Sequence, residues 1–174
     1  AHMTTAEARV GFGGADATLT GYVQLFERAI GGKRIDSIEI PMIQRDYAQG
    51  RAGKTVGRIR EKFVAALHDA VEPGAPMLAL DFVYGDVTAD GKFYPLDGQQ
   101  RLTTLYLLHW YVARRAEVDI DGAAWLRFSY ATRDGTRRFC EFLAEVFPEW
   151  DRCTGDGSLS AWLKDQVRYR TTWN

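Results

Sequence analysis

KFYPLDGQQRLTTLYLLHWYV, residues 92–112, holds the reading on which the fold turns. KFYPLD (92–97) is a short extended run, and Asp97-Gly98 makes a turn. From about Gln99 to Glu117, Leu102, Leu105, Leu108 and Val112 recur at helical spacing. A strand therefore hands directly to a long helix. An ordinary helix start needs one capping side chain. Here Asp97, Gln99, Gln100 and Arg101 stand together, more polar groups than a cap requires.

Working outward, MLALDFVYGDV (77–87) and KFYPLD flank TADG, which predicts a hairpin. TVGRIREKFVAALHDAV (55–71) repeats Val56, Ile59, Phe63, Leu67 and Ala70 at helical spacing and stops at Pro73-Gly74. RIDSIEIP (34–41) predicts a short strand ended by Pro41. In DATLTGYVQLFERAIGG (16–32), Leu19, Val23, Phe26 and Ile30 share one face, predicting a helix that stops at Gly31-Gly32. Downstream, WLRFSY (125–130) reads as a strand, TRRFCEFLAEVF (136–147) as a helix closed by Pro148, and SLSAWLKDQVRY (158–169) as the last helix. The set predicts an α+β domain, a small mixed β-sheet flanked by helices with a helical C-terminal part. The strands are too few and too short for a large doubly wound sheet.

Composition narrows the classes. The chain has 174 residues, 46% hydrophobic and 13% aromatic, enough for a folded core in one domain. That domain is placed at 4–174, with Ala1-His2-Met3 read as an expression scar and the TTWN end read as the cut edge of a longer protein. The net charge of −1 gives no overall basic field. Basic residues do cluster, with Arg45, Arg51, Lys54, Arg58, Arg60 and Lys62 falling within 45–62. Such a run is usually one solvated helix face. Cys140 and Cys153 form no disulfide framework and no CxxC pair, which predicts a reducing, cytoplasmic setting. His68 and His109 have no ligand-spaced partner, so no structural zinc is expected. No apolar run reaches the roughly 18 residues that span a bilayer, so no membrane partner is expected.

One motif is a decoy. AQGRAGKT (48–55) satisfies a relaxed P-loop pattern with Ala48 in place of the first glycine, and MLALD (77–81) imitates the strand whose aspartate holds magnesium. A phosphate loop must leave a buried strand directly and end at a helix N-terminus. QRDYAQ separates Ile43 from this loop, and the glycine needed for the tight turn is missing. The stretch is read as a surface loop capped by Thr55.

The LDGQQR turn has two readings from residue types alone. The unpaired N–H groups and dipole of a helix start favour an anion, and Gly98 would let a phosphate approach. Arg101 is unfavourable for the dipole there but can fork onto phosphate oxygens. Alternatively, Asp97 caps the helix, Gln99 and Gln100 face solvent, and Arg101 makes an ion pair. IEIPMIQRDY (38–47) adds a second strand-end pair, Gln44-Arg45, and two such pairs are economically read as one polar site.

IPMIQRDY (40–47) followed by LDGQQRLTTLYLL (96–108) resembles the N-terminal domain of GmrSD-type restriction endonucleases, and the later FSYATRDGTRRFCEFL (128–143) resembles a segment of the same proteins. The likeness runs from about Ile38 to Phe142 and extends to the wider ParB/sulfiredoxin-like superfamily, whose DGQQR or DGxxR turn lies at a phosphate site. Tyr47-Ala48-Gln49 departs from the pattern, which carries an aromatic two residues beyond QRxY. The resemblance implies a ParB/sulfiredoxin-like core and an NTP-binding, NTP-hydrolysing regulatory domain of a DNA-targeting antiphage system. It implies a nuclease in a separate C-terminal domain or subunit; nothing like an HNH motif occurs in this sequence.

Carried onto these residues, Arg45 and Arg101 clamp the phosphates, and Gly98 and Gln99 bind phosphate at the helix N-terminus. Asp97 holds Mg2+ or orients water, and Gln44 or Gln100 positions the attacking water. The alternatives are a non-catalytic sensor of DNA or modified DNA, with Arg51, Lys54 and Arg58 extending the contact, and a ParB-like nuclease. On the phosphate-clamp reading, truncating Arg101 should cost binding far more than folding.

Overall fold

Alternating burial along Ser37–Ile40 sets a strand in the middle of the molecule: Ile38 and Ile40 are buried, while Ser37 and Glu39 are half-buried. The computed structural model describes residues 7–11, 17–41, 54–131, 134–153 and 158–173. Its strands are β1 (Glu7–Gly11), β2 (Ala17–Gly21), β3 (Ser37–Ile40), β4 (Ala79–Val87), β5 (Lys92–Asp97) and β6 (Phe128–Tyr130). Its α-helices are α1 (Lys54–Ala70), α2 (Gln99–Arg115), α3 (Asp134–Glu145) and α4 (Ser158–Lys164). The strands form one mixed sheet in the order β2-β1-β4-β5-β3-β6. The domain is α+β, as the sequence predicts.

The hairpin forms where expected. β4 and β5 pair antiparallel with Val87 opposite Phe93, and Gly91 takes φ +80° in the turn. β3 runs parallel to both β5 and β6. Consequently the carboxyl ends of β3, β5 and β6 and the start of β4 share one edge of the sheet. The β3–β5 ladder stops after Ile38 opposite Phe93. Pro95, two residues on, has no N–H to continue it. Near this point β5 carries an extra residue against β4, because Tyr84 faces Asp97 while Gly85 faces Pro95. Leu96 is the bulged residue, and the strands come close enough there that a Cβ on Gly85 would sit 2.0 Å from the Tyr94 carbonyl oxygen.

Helix α2 supplies much of the core. Leu102, Leu105 and Tyr106 are fully buried with Ile35, Ile38, Val83 and Phe93. Tyr106 stacks on Phe128 with centroids 4.8 Å apart. Tyr22 donates to the Trp125 carbonyl at 3.1 Å and lies 5.1 Å from the His109 ring. One stripe of α2 closes the carboxyl end of α3. Tyr106 Oη donates to the Cys140 carbonyl, Trp110 Nε1 to that of Leu143 and Arg114 Nη2 to that of Ala144, at 3.2, 2.6 and 2.6 Å. The last carbonyls of a helix lack intrahelical donors and carry partial negative charge. That explains a 3% exposed arginine here, whose guanidinium also stacks 3.9 Å from the Phe147 ring.

Two sequence expectations fail in instructive ways. Residues 16–32 are not a helix: β2 pairs antiparallel with β1, and Val23–Phe26 is a single 3-10 turn. Thr18, Leu19 and Thr20 suit a strand, but only the partner at 7–11 makes one of them. The predicted last helix stops at Lys164, after which Tyr169 and Trp173 turn into a ring cluster with Phe139 and Phe142. Packing overrides helical periodicity there. WLRFSY splits into a 3-10 turn (Ala124–Leu126) and β6.

Two outcomes follow. Gly85→Ala should destabilise the fold by about 2–3 kcal/mol, through the steric cost of overpacking, seen as a lower urea midpoint with an unchanged slope. His109 is 8% exposed with Nδ1–H donating to the Leu105 carbonyl at 2.7 Å, and burial holds its pKa below the ordinary 6.5. The unfolded chain then binds a proton that the folded chain does not. Stability should therefore fall as pH drops from about 6.5 through the folded pKa, and the pH dependence of Tm should weaken in His109→Phe.

Candidate functional site

The β5–α2 junction is built by a backbone that only glycine accepts. Gly98 is the N-cap of α2 with φ +81° and ψ 11°. A Cβ at this position would lie 2.6 Å from Val83 Cγ2 and 3.1 Å from Val83 Cα. The glycine therefore serves the left-handed turn and the close approach of β5–α2 to β4. Sequence reasoning gave its missing Cβ to a ligand; the structure gives that space to Val83. No side chain caps the helix, and its first turn has no acidic residue. Asp97 is thus not the cap that one of the two sequence readings allowed.

The polar residues divide their work. Gln99 Nε2 donates to the Pro95 carbonyl at 2.9 Å, tying the turn back to the bulged strand. Thr103, one turn on, donates to the Gln99 carbonyl at 2.9 Å and lies 2.8 Å from Tyr130 Oη, at the end of β6. Arg101 reaches β4, where Nη2 donates to the Phe82 carbonyl, and lies 3.8 Å from Asp97 Oδ2. Its Nε is buried without a partner among the described residues.

β4 bulges against β1 beside Phe82. Ala8 faces Leu80 and Val10 faces Val83, so Arg9 stands opposite both Asp81 and Phe82. Asp81 Oδ1 takes the Phe82 N–H at 3.0 Å, and Arg101 takes the oxygen. Arg101 is therefore also a structural anchor, a role its place in the sequence did not signal. Phe82 was missed as its partner because the contact is to backbone across 19 positions.

Asp97 is the open group of the turn, its side chain 61% exposed against 25% for Arg101. Gln100 is half-buried one residue before Arg101. Of the other predicted site residues, Gln44, Arg45 and Arg51 lie outside the described residues, as does the side chain of Lys54. Arg58 is exposed on α1. β3 and β5 are adjacent and parallel, so the carboxyl end of β3 at Ile40 lies at the same edge of the sheet as Asp97. Crevices outside the carboxyl ends of such strands are where open α/β sheets bind ligands. The magnesium-strand imitation fails: Asp81 is the third residue of β4, exposed at a bulge, and β4 runs opposite to β5 and hence to β3. No group of three His, Cys, Asp or Glu forms a metal cage among the described residues. Cys140 and Cys153 are free thiols, and burial pushes Cys140 up to about 12. Among the described residues no helix is long and apolar enough to cross a membrane.

A family model described as the GmrSD restriction endonuclease, N-terminal domain, matches residues 24–159, which take in both Gln-Arg pairs, at 44–45 and 100–101. The chain belongs to that family. Comparison with curated proteins and with solved structures gave no match. The GmrSD family places the domain in a restriction system, and the match takes in β3 through α3 while leaving out β1 and β2.

The Gly98–Val83 contact can be tested by a double-mutant cycle. Gly98→Ala should cost about 1–3 kcal/mol through its left-handed backbone and the overpacked contact. In Gly98→Ala/Val83→Ala the loss should be smaller than the sum of the single losses, measured by urea denaturation, because truncating Val83 removes the clash.

Proposed function

We propose that the Gly98 turn is the phosphate corner of a nucleotide site, and that this domain is an NTP-hydrolysing regulatory module of a DNA-targeting antiphage restriction system. The nuclease of that system resides in a separate C-terminal domain or subunit. One observation carries the reading: α2 begins without a side-chain cap at the carboxyl edge of the sheet, with Arg101 in its first turn and Asp97 at its mouth.

Helix-start N–H groups and the helix dipole attract a phosphate oxygen. Arg101 has five N–H donors, of which the Phe82 carbonyl engages Nη2, so donors on the guanidinium remain for phosphate. Fixing the group to β4 preorganises it, which lowers the entropy lost on binding. Arg45 clamps the phosphates from the β3 side. Gln100 and Gln44 orient the attacking water, while Gln99, held by Pro95, maintains the turn. Mg2+ is held in nucleotide sites by one or two carboxylates together with the phosphates, and the exposed Asp97 suits that mode without a protein cage. When bound, the ion neutralises phosphate charge. Phosphoryl transfer relies on positioning and charge, so the site requires no covalent nucleophile.

The structure changes one expectation attached to this reading. Arg101→Ala removes an exposed charge-assisted hydrogen bond to the Phe82 carbonyl, so it should lower stability by about 1 kcal/mol rather than leave folding untouched. Arg101→Lys keeps the charge and separates the two effects. Calorimetric titration with ATP or GTP and magnesium should show Arg101→Ala weakened at least about ten-fold, the loss of a charged hydrogen bond, and Arg58→Ala unchanged. A folded Arg101→Ala that binds as tightly as the parent would remove the phosphate clamp.

A further inference from the structure

We propose a second ligand site, independent of the Gly98 turn: the cleft between α3 and the C-terminal turns is a seat for single-stranded nucleic acid. The cleft measures about 470 Å³, and Arg137, Arg138, Arg168 and Arg170 line it with Phe142 and Trp173. None of these residues belongs to the Gly98 turn, and Arg168, Arg170 and Trp173 lie beyond the family match at 24–159.

Charge and rings sit together here for separate structural reasons. Phe142 is buried and forms the floor, with the Trp173 ring 5.5 Å from it at its half-exposed edge. Tyr169 and Phe139 hold the Trp173 ring from other sides, at 5.5 and 6.1 Å. Trp173, half-exposed and lining the cleft, is the ring a base would stack against. The guanidiniums remain at the surface: Arg137, Arg138 and Arg168 have side chains 49%, 62% and 64% exposed. Asp134 pairs with Arg137 and Arg138, and Glu145 with Arg168. Arg170 has no ion pair among the described residues, and Glu141 is the acidic residue of the lining.

This arrangement selects among anions. These arginines come from α3 and from the C-terminal turns and stay solvated, which suits phosphates strung along a chain. An acidic peptide would exchange one carboxylate for another at Asp134 and Glu145. A polynucleotide adds a gain that a peptide does not, release of counterions condensed along its phosphates, together with stacking on Trp173. α3 begins four residues after Tyr130, at the end of β6, so the cleft follows the carboxyl edge of the sheet in the chain.

Fluorescence anisotropy of a labelled oligothymidylate, added to the 174-residue chain at about 50 mM salt, tests the site. The parent should bind, with log affinity falling linearly in log salt. Arg168→Glu/Arg170→Glu should weaken binding at least about ten-fold and flatten the salt slope by about 2, one for each arginine lost. Trp173→Ala should weaken it roughly five-fold or more with the slope retained. Arg34→Glu, an exposed arginine paired with Asp36, and Arg101→Ala should bind as the parent does. Arg170→Glu alone breaks no ion pair among the described residues and reads the same effect should the double variant melt early. The proposal is overturned if the parent gives no anisotropy change, if charge reversal leaves binding intact, or if ATP or poly-glutamate displaces the strand at equal charge concentration. Nucleotide binding lost in Arg101→Ala with strand binding retained keeps the two sites distinct.

Discussion

Val83 and Gly98 occupy the same space that any other residue pair would contest. The missing Cβ lets the end of β5 fall onto β4, and the positive φ turns the chain at once into α2. Because α2 carries Leu102, Leu105 and Tyr106 into the core, the direction set at Gly98 fixes where those side chains arrive. The same direction sends Trp110 and Arg114 to the carbonyls of Leu143 and Ala144, which binds α3 to α2. The packing of β4, β5, α2 and α3 thus runs through one contact less than a side chain wide.

Around that contact, polar groups do work that apolar packing could not. The β-bulges in β4 and β5 interrupt the ladder, and side chains bond to the backbone groups beside them. Asp81 and Arg101 satisfy Phe82, and Gln99 satisfies Pro95. The candidate site and the structural repair therefore share Gln99 and Arg101, and Asp97 beside them is open to solvent.

Strand, turn and long helix at 92–115 could be read from sequence because their signals are local: Gly98, the preceding extended run and a sustained helical period lie within two dozen residues. The hairpin and α1 were legible for the same reason. Residues 16–32 were misread because Leu19, Val23, Phe26 and Ile30 fit a helical face, while the pairing that makes Ala17–Gly21 a strand comes from Glu7–Gly11. Residues 165–169 were misread as helix because the ring cluster that captures Tyr169 and Trp173 is tertiary.

For the site, the sequence determined the residue types at the turn and the family that they announce, since motif spacing is a property of the chain alone. It could not assign roles within the motif. Gly98 faces Val83, Gln99 is held by Pro95, and Arg101 is shared between Phe82 and Asp97. Each of those choices depends on a strand brought alongside by pairing, and hydrogen bonds to backbone leave no signature in side-chain identity. The parallel, adjacent placement of β3 and β5 is likewise tertiary: residues 37–40 and 92–97 carry no mark of which strand each will pair with, and hydrogen-bonding geometry decides it only once the sheet has formed.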